Sequence, residues 1–327
     1  MTTRKRILLG VVSGILLLVF AGAAVIVVSS YLEHRELVEV EKASYPAPGV
    51  RVDVGANAGT DDGNLHVYAE GGGSPTLVFL SGLGTSSPYY DFKVLFDQFS
   101  NDYRVAVVER AGYGWSDITT SARDIETVLQ ETRTALKLAG ESPPYVIFPH
   151  SLAGLEALYW ASNYPEEVAA IIGLDPLVPE YYEEGESDTV LSPVVTFLAR
   201  TGLMRSGPDV FASNFPAMVK GHLSAQEAEV AETLFMRRTN TRNMLAEVDA
   251  LPKNTQQVLE KGTPDLPFHV FVSDQGSELW KENLVSYAIA TGGEYFLLDA
   301  EHYVHLDQPE FIAEKSRELI ESAGLDD

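Results

Sequence analysis

The first long pattern in the chain is a run of apolar residues, 7–28, without a charged side chain. As a helix, its 22 residues rise about 33 Å, close to the thickness of a bilayer's hydrocarbon core. Arg4, Lys5 and Arg6 precede the run, and Glu33, Glu36, Glu39 and Glu41 follow it among fewer cations. This asymmetry predicts one membrane span, with the N-terminus in the cytoplasm and the rest of the chain outside the cell membrane. A cleaved signal peptide is the competing reading, with Ala21-Gly22-Ala23 as its cleavage site, but the apolar run continues to Val28. We therefore expect a basic tail at 1–6, a signal anchor at 7–29 and a charged, then proline-containing stalk at 30–50.

Beyond residue 51 the pattern becomes one of short apolar runs separated by helical periodicity. The runs at 65–69, 76–80, 104–109, 145–148, 169–174, 268–272 and 295–298 predict strands. The segments 91–99, 122–138, 152–163, 281–290 and 310–322 predict helices between and after them. Strand and helix in alternation imply a mostly parallel sheet covered by helices on both faces, and near-continuous apolar strands fit that burial. The alternation stops between 176 and 263, where helices are expected at 193–201, 209–220, 225–237 and 242–250. That interval reads as a helical cap inserted into a core made of 51–175 and 264–327.

Composition narrows the function. The 327 residues hold 47 acidic and 23 basic side chains, a net charge of −24. Nucleic acid is excluded as a partner, because phosphate binding needs clustered Lys and Arg. Broad docking of the soluble part on anionic lipid is likewise disfavoured. The absence of cysteine excludes disulfides, thiolate metal sites and a cysteine nucleophile. His302 and His305 find no third ligand at sensible spacing, so neither a metal nor another cofactor is expected.

Three segments carry candidate chemistry. The strand at 145–148 runs through Pro149-His150-Ser151-Leu152-Ala153-Gly154 into a helix. Strand, sharp turn with a central serine, and helix is the setting of a nucleophile elbow, although Pro149 and Ala153 replace the usual outer glycines. Directly after the strand at 76–80 comes Ser81-Gly82-Leu83-Gly84, a turn able to aim the Leu83 N–H at a developing oxyanion alongside the Leu152 N–H. His302, on the loop between the last strand and the last helix, is placed to act as general base for Ser151. His305 reads as a packing residue.

Together with Glu109-Arg110-Ala111-Gly112-Tyr113-Gly114-Trp115-Ser116 and His302-Tyr303-Val304-His305, these segments resemble the α/β-hydrolase superfamily over about residues 60–325. Within it, the chain looks most similar to membrane-anchored serine hydrolases of Gram-positive bacteria. The resemblance implies the α/β-hydrolase fold and a Ser-His-acid triad. It departs at Ser81, where the family often has His, and at Pro149 and Ala153. Dehalogenases and epoxide hydrolases of the superfamily carry Asp at the nucleophile position, so Ser151 implies acyl transfer through an acyl-enzyme. Two carboxylates fit the third role. Asp175 ends the strand after the nucleophile, where some superfamily members place the acid. Asp274 ends the penultimate strand, 28 residues before His302, a spacing usual in the superfamily. We take Asp175 as the acid and Asp274 as the alternative.

The cap offers Tyr181, Tyr182, Phe197, Leu203, Met204, Phe211, Phe215, Met218, Phe235 and Met236 for its own core or for an apolar pocket. No cluster of Arg or Lys is legible for a substrate carboxylate or phosphate, and Arg237 and Arg238 read as a pair at a solvated helix end. A small or medium apolar ester is the expected substrate. Glu180, Glu183, Glu184 and Glu186 near the cap hinge could instead attract a free amine, which would suit an aminopeptidase or amidase with the same triad. A catalytically inactive extracellular binding module is the alternative from outside the enzymes.

Overall fold

The computed structural model describes residues 3–55, 63–184, 190–207 and 209–325. The side chains of Arg6, Glu183 and Glu184, and all of Glu186, lie outside the described residues. Eight strands form one sheet: β1 (Val50–Asp53), β2 (Asn64–Glu70), β3 (Thr76–Leu80), β4 (Arg104–Glu109), β5 (Tyr145–Pro149), β6 (Val168–Leu174), β7 (Phe268–Ser273) and β8 (Tyr295–Leu298). Their spatial order is β1-β2-β4-β3-β5-β6-β7-β8. β2 runs antiparallel to β1 and β4, and the strands from β4 to β8 are mutually parallel. Every residue of β3 and β5 is buried, as expected for central strands covered on both faces. β1 was not expected, because Val50-Arg51-Val52-Asp53 is short, charged and largely exposed.

The described helices, in chain order, are α1 (Thr3–Ser44), α2 (Pro88–Phe99), α3 (Ile125–Ala139), α4 (Ala153–Asn163), α5 (Pro179–Glu184), α6 (Pro193–Arg200), α7 (Val210–Asn214), α8 (Pro216–Val219), α9 (Ala225–Arg238), α10 (Arg242–Lys261), α11 (Glu278–Ala290), α12 (Val304–Asp307) and α13 (Pro309–Ser322). Alternation along β3 assigns the two faces of the sheet. Val78 and Leu80 join Leu129, Leu136, Leu155, Leu158, Leu284 and Tyr287 in the core beneath α3, α4 and α11. Leu77 and Phe79 face α2 and α13 on the other side, where Phe79 meets Phe92, Phe96, Phe99 and Phe148.

Three expectations are corrected by this architecture. The segment read as a stalk is helical as far as Ser44: α1 is one helix of 42 residues, with no Gly or Pro between Tyr31 and Ser44 to stop it. Its exposed apolar part is long enough to cross a membrane. Its last turns dock on the cap, where Arg205 grips Glu41 at 2.7 and 3.0 Å and reaches His34 Nδ1 at 2.9 Å. The helix expected at 209–220 is split into α7 and α8 at Phe215, which precedes Pro216 and is steered into extended geometry. The helix expected to stop at 250 continues to Lys261 through Pro252, and Leu251 and Val258 pack against the core of the sheet. Of the expected cap residues, Met204, Phe211, Phe215, Phe235 and Met236 are buried together, whereas Phe197 is exposed.

Close passage of α4 over the chain after β6 leaves no room at Gly154: a Cβ there would lie 2.2 Å from the Leu177 carbonyl oxygen. Gly154→Ala is expected to cost about 2 kcal/mol and to lower the thermal midpoint of the full chain by about 3 °C. Differential scanning fluorimetry reads this directly, and an unchanged midpoint would contradict the packing described.

Candidate active site

β5 ends at Pro149 and α4 begins at Ala153, so the connecting turn is only His150-Ser151-Leu152. Ser151 takes φ +52°, in the left-handed region that side chains other than glycine rarely enter. The conformation is held from both sides. The His150 N–H donates to the Leu80 carbonyl at 2.9 Å, and the Leu177 N–H donates to the Ser151 carbonyl at 2.7 Å. Pro149 is compatible with this turn because the ladder bond to Leu80 comes from the next residue, His150. Gly82 lies so near that a Cβ on it would sit 2.7 Å from Ser151 Cβ and 3.3 Å from Ser151 Oγ. The N–H groups of Leu83 and Leu152 have no acceptor among the described residues.

Asp175 stands at the end of the neighbouring strand β6, also with positive φ, +49°. Its carboxylate is buried and receives three hydrogen bonds. The Ser273 N–H and the Trp280 indole N–H donate to Oδ1 at 3.0 and 2.9 Å, and His302 Nδ1 lies 2.7 Å from Oδ2. With the carboxylate ionised, Nδ1 carries the ring proton and Nε2 is left as the acceptor. The His302 side chain is 44% exposed. Its backbone carbonyl accepts from His150 Nε2 at 3.1 Å, and the two rings stand 4.7 Å apart, which fixes the His302 loop beside the Ser151 turn. Ser151 and His302 are not hydrogen-bonded to each other among the described residues, and such pairs commonly tighten only around substrate.

The structure thus brings Asp175 to His302 and leaves Asp274 elsewhere. The Asp274 side chain is 56% exposed and pairs with Lys281 at 2.9 Å. Trp280 was missed in the sequence; it reaches Asp175 from α11, and its ring meets His302 edge-on at 5.7 Å.

A second buried network positions the Leu83 turn. The Arg110 guanidinium donates to the carbonyls of Ser81 and Gly82 at 2.6 and 3.2 Å. It pairs with Glu247 of α10 at 3.3 Å, and Glu156 of α4 lies 3.8 Å away. Tyr113 donates to Glu247 at 2.6 Å, and Arg110 lies over its ring. Burial raises the Glu156 carboxyl above its usual range, against the lowering pull of Arg110 and Thr132. Arg238 is not solvated as expected. It is buried and donates to the carbonyls of Gly114 and Ser116, at 2.6 and 2.7 Å, tying α9 to the loop after β4.

With the fold and this arrangement described, comparison with known proteins gives the family. The sequence profile of the alpha/beta hydrolase fold matches residues 75–265, more than half of the chain, and the chain belongs to that family. It is 42% identical over 172 residues to the uncharacterized protein YbdG of Bacillus subtilis, a match covering 51% of this chain and 51% of that protein. The chain thus spans about half the length of that curated relative. An esterase from Thermogutta terrifontis shares the fold with a TM-score of 0.57 at 18% identity, over 84% of this chain and 99% of that one. An epoxide hydrolase from Bacillus megaterium does so with a TM-score of 0.58 at 16% identity, over 80% and 98%.

His305 is buried against Phe92, and neither ring nitrogen has a hydrogen-bond partner among the described residues. Burial, then the nearby His302 and His222, push it down to about 3. The folded chain therefore holds one proton fewer than the unfolded chain at this site between about pH 3 and pH 6.5. The resulting stability is complete above pH 6.5 and falls as pH drops. Between pH 7 and pH 5, His305→Phe is expected to lose about 2 kcal/mol less than the parent in urea denaturation. Equal losses would contradict a buried neutral His305.

Proposed function

We propose that this chain is a serine hydrolase that cleaves small or medium apolar esters through an acyl-enzyme. The observation that carries the reading is the 2.7 Å contact between Asp175 and His302 beside a serine held at φ +52°. In this reading His302 Nε2 takes the Ser151 proton as Oγ attacks the ester carbonyl, and Asp175 stabilises the imidazolium that forms. The N–H groups of Leu83 and Leu152 receive the oxyanion. His302 then gives its proton to the leaving alcohol, and water, activated by the same nitrogen, releases the acid. No metal or organic cofactor enters the scheme. Trp280 serves as a positioning residue for Asp175.

The surrounding assignments belong to the same proposal. Residues 51–175 and 264–327 form the catalytic core, and 176–263 a cap that shapes the pocket. The apolar part of α1 anchors the protein in the cell membrane, with residues 1–6 cytoplasmic and the core outside. The exposed apolar surface from Ile7 to Val28, flanked by Arg4, Lys5 and Arg6, supports this placement.

Hydrolysis of p-nitrophenyl butyrate beside an amino-acid anilide tests the reading. The ester is expected to be the better substrate, and Ser151→Ala to abolish its turnover. Asp175→Asn is expected to lower kcat by about 10³- to 10⁴-fold, with Asp274→Asn within about twofold of the parent. Activity surviving Ser151→Ala, or a larger loss in Asp274→Asn, would contradict the mechanism. Preference for the anilide would reassign the substrate to amides.

A further inference from the structure

The region where α1 meets the cap holds a cavity of about 930 Å³, far from Ser151 in sequence and in lining residues. Arg35 and Lys42 line it from α1, Arg200 from α6, Arg237 and Arg238 from α9, and Arg242 from α10. Only two carboxylates, Glu36 and Glu39, share the lining, and Glu39 is paired with Lys42 at 2.8 Å. This excess of cations stands out in a chain of net charge −24. The cluster is not legible in the sequence, because its members are scattered from Arg35 to Arg242.

The cations are also largely unspent. Among the described residues, no carboxylate lies within 4.0 Å of Arg35, Arg200, Arg237 or Arg242. Arg237 Nε is buried with no hydrogen-bond partner among the described residues, a costly arrangement for a guanidinium unless something else supplies the acceptor. Burial lowers its pKa, with Arg205 adding to the effect and Glu41 opposing it. Leu32, Ile118, Ala199 and Met236 add apolar lining. An anion with an apolar body matches both linings.

The position of the cavity selects the source of that anion. Tyr31, the first residue of α1 to line it, follows the last residue of the apolar run by three positions, or about 4.5 Å of helix. Head groups occupy roughly the next 5–8 Å beyond the hydrocarbon core. We propose that this cavity binds the phosphate head of an anionic phospholipid, held by Arg237 and Arg242 with Arg200, while the acyl end leaves past Leu32 toward the bilayer. The proposal rests on the reading of α1 as a membrane anchor. Net repulsion does not forbid it, since charges beyond about 10 Å are screened and the captured head is in contact with the arginines. A bound lipid would brace α1 against α6, α9 and α10 and so fix the catalytic domain relative to the membrane.

Native mass spectrometry of the detergent-solubilised full chain tests this with phosphatidylglycerol and phosphatidylcholine added in equal amounts. The parent is expected to retain one phosphatidylglycerol at least tenfold over phosphatidylcholine, and Arg237→Gln/Arg242→Gln to lose that preference while keeping the parent's thermal midpoint. Arg242→Gln alone, at an exposed position, is expected to show a partial loss and keeps the test decisive if the double variant does not fold. Equal retention of the two lipids, or an unchanged preference in the variants, would overturn the proposal. Displacement of the lipid by millimolar inorganic phosphate would overturn the lipid assignment in favour of a free-anion site. Flotation of the full chain with phosphatidylcholine vesicles judges the anchor separately: failure to float refutes the anchor, whereas lost lipid selectivity in a chain that floats refutes the cavity alone.

Discussion

The buried guanidinium of Arg110 is the interaction on which the rest of the site depends. It is 4% exposed and, from the loop after β4, touches three segments that are distant in sequence: the turn after β3, helix α4 and helix α10. A buried charge is tolerable only when its donors are satisfied, and here two backbone carbonyls and Glu247 do so, with Glu156 close by. The arrangement therefore has one geometry in which all partners are met. In that geometry the Gly82–Leu83 turn is set against Ser151, and α10 is held to that turn through Glu247. Loss of the cation would leave Glu247 and Glu156 buried with only the hydroxyls of Tyr113 and Thr132 beside them, so the Gly82–Leu83 turn, α4 and α10 are coupled through one side chain.

The second constraint is the parallel sheet. β5 and β6 are neighbours that end at the same edge, and each is followed by a residue forced into positive φ, Ser151 and Asp175. Backbone strain of this kind persists only where the surroundings over-determine it. At Ser151 the ladder bond of His150 and the bond from Leu177 do so; at Asp175 the Phe271 carbonyl accepts its N–H at 2.8 Å. The edge then needs only one loop residue, His302, to link the two positions, and His150 holds that loop by its main chain.

Most of this fold was legible because strand and helix periods alternate cleanly over residues 65–175 and again from 268, and burial enforces those periods. The turn that holds Ser151 and the loop that holds His302 were legible for a similar reason: a connection between strand and helix leaves a local signature. The carboxylate that meets His302 was only narrowed to two, since both Asp175 and Asp274 end strands at the same sheet edge. What separates them is the approach of Trp280 and Ser273 to one and of Lys281 to the other, a tertiary fact without local pattern. The Arg110–Glu247 pair and the arginine-lined cavity escaped for the same reason, their members lying far apart in the chain. The stalk was misread because charge and nearby proline suggested a linker, whereas Glu, Leu, Arg and Lys are strong helix formers and Pro46 lies beyond the helix end.

The central claim is that Ser151 is an activated nucleophile. Treating the purified full chain with a fluorophosphonate and mapping the modified peptide tests it most directly. The account predicts a single phosphonylated residue, Ser151, with labelling blocked in His302→Ala while that variant remains folded. A folded parent that takes up no label, or a label on Ser81 instead, would contradict it.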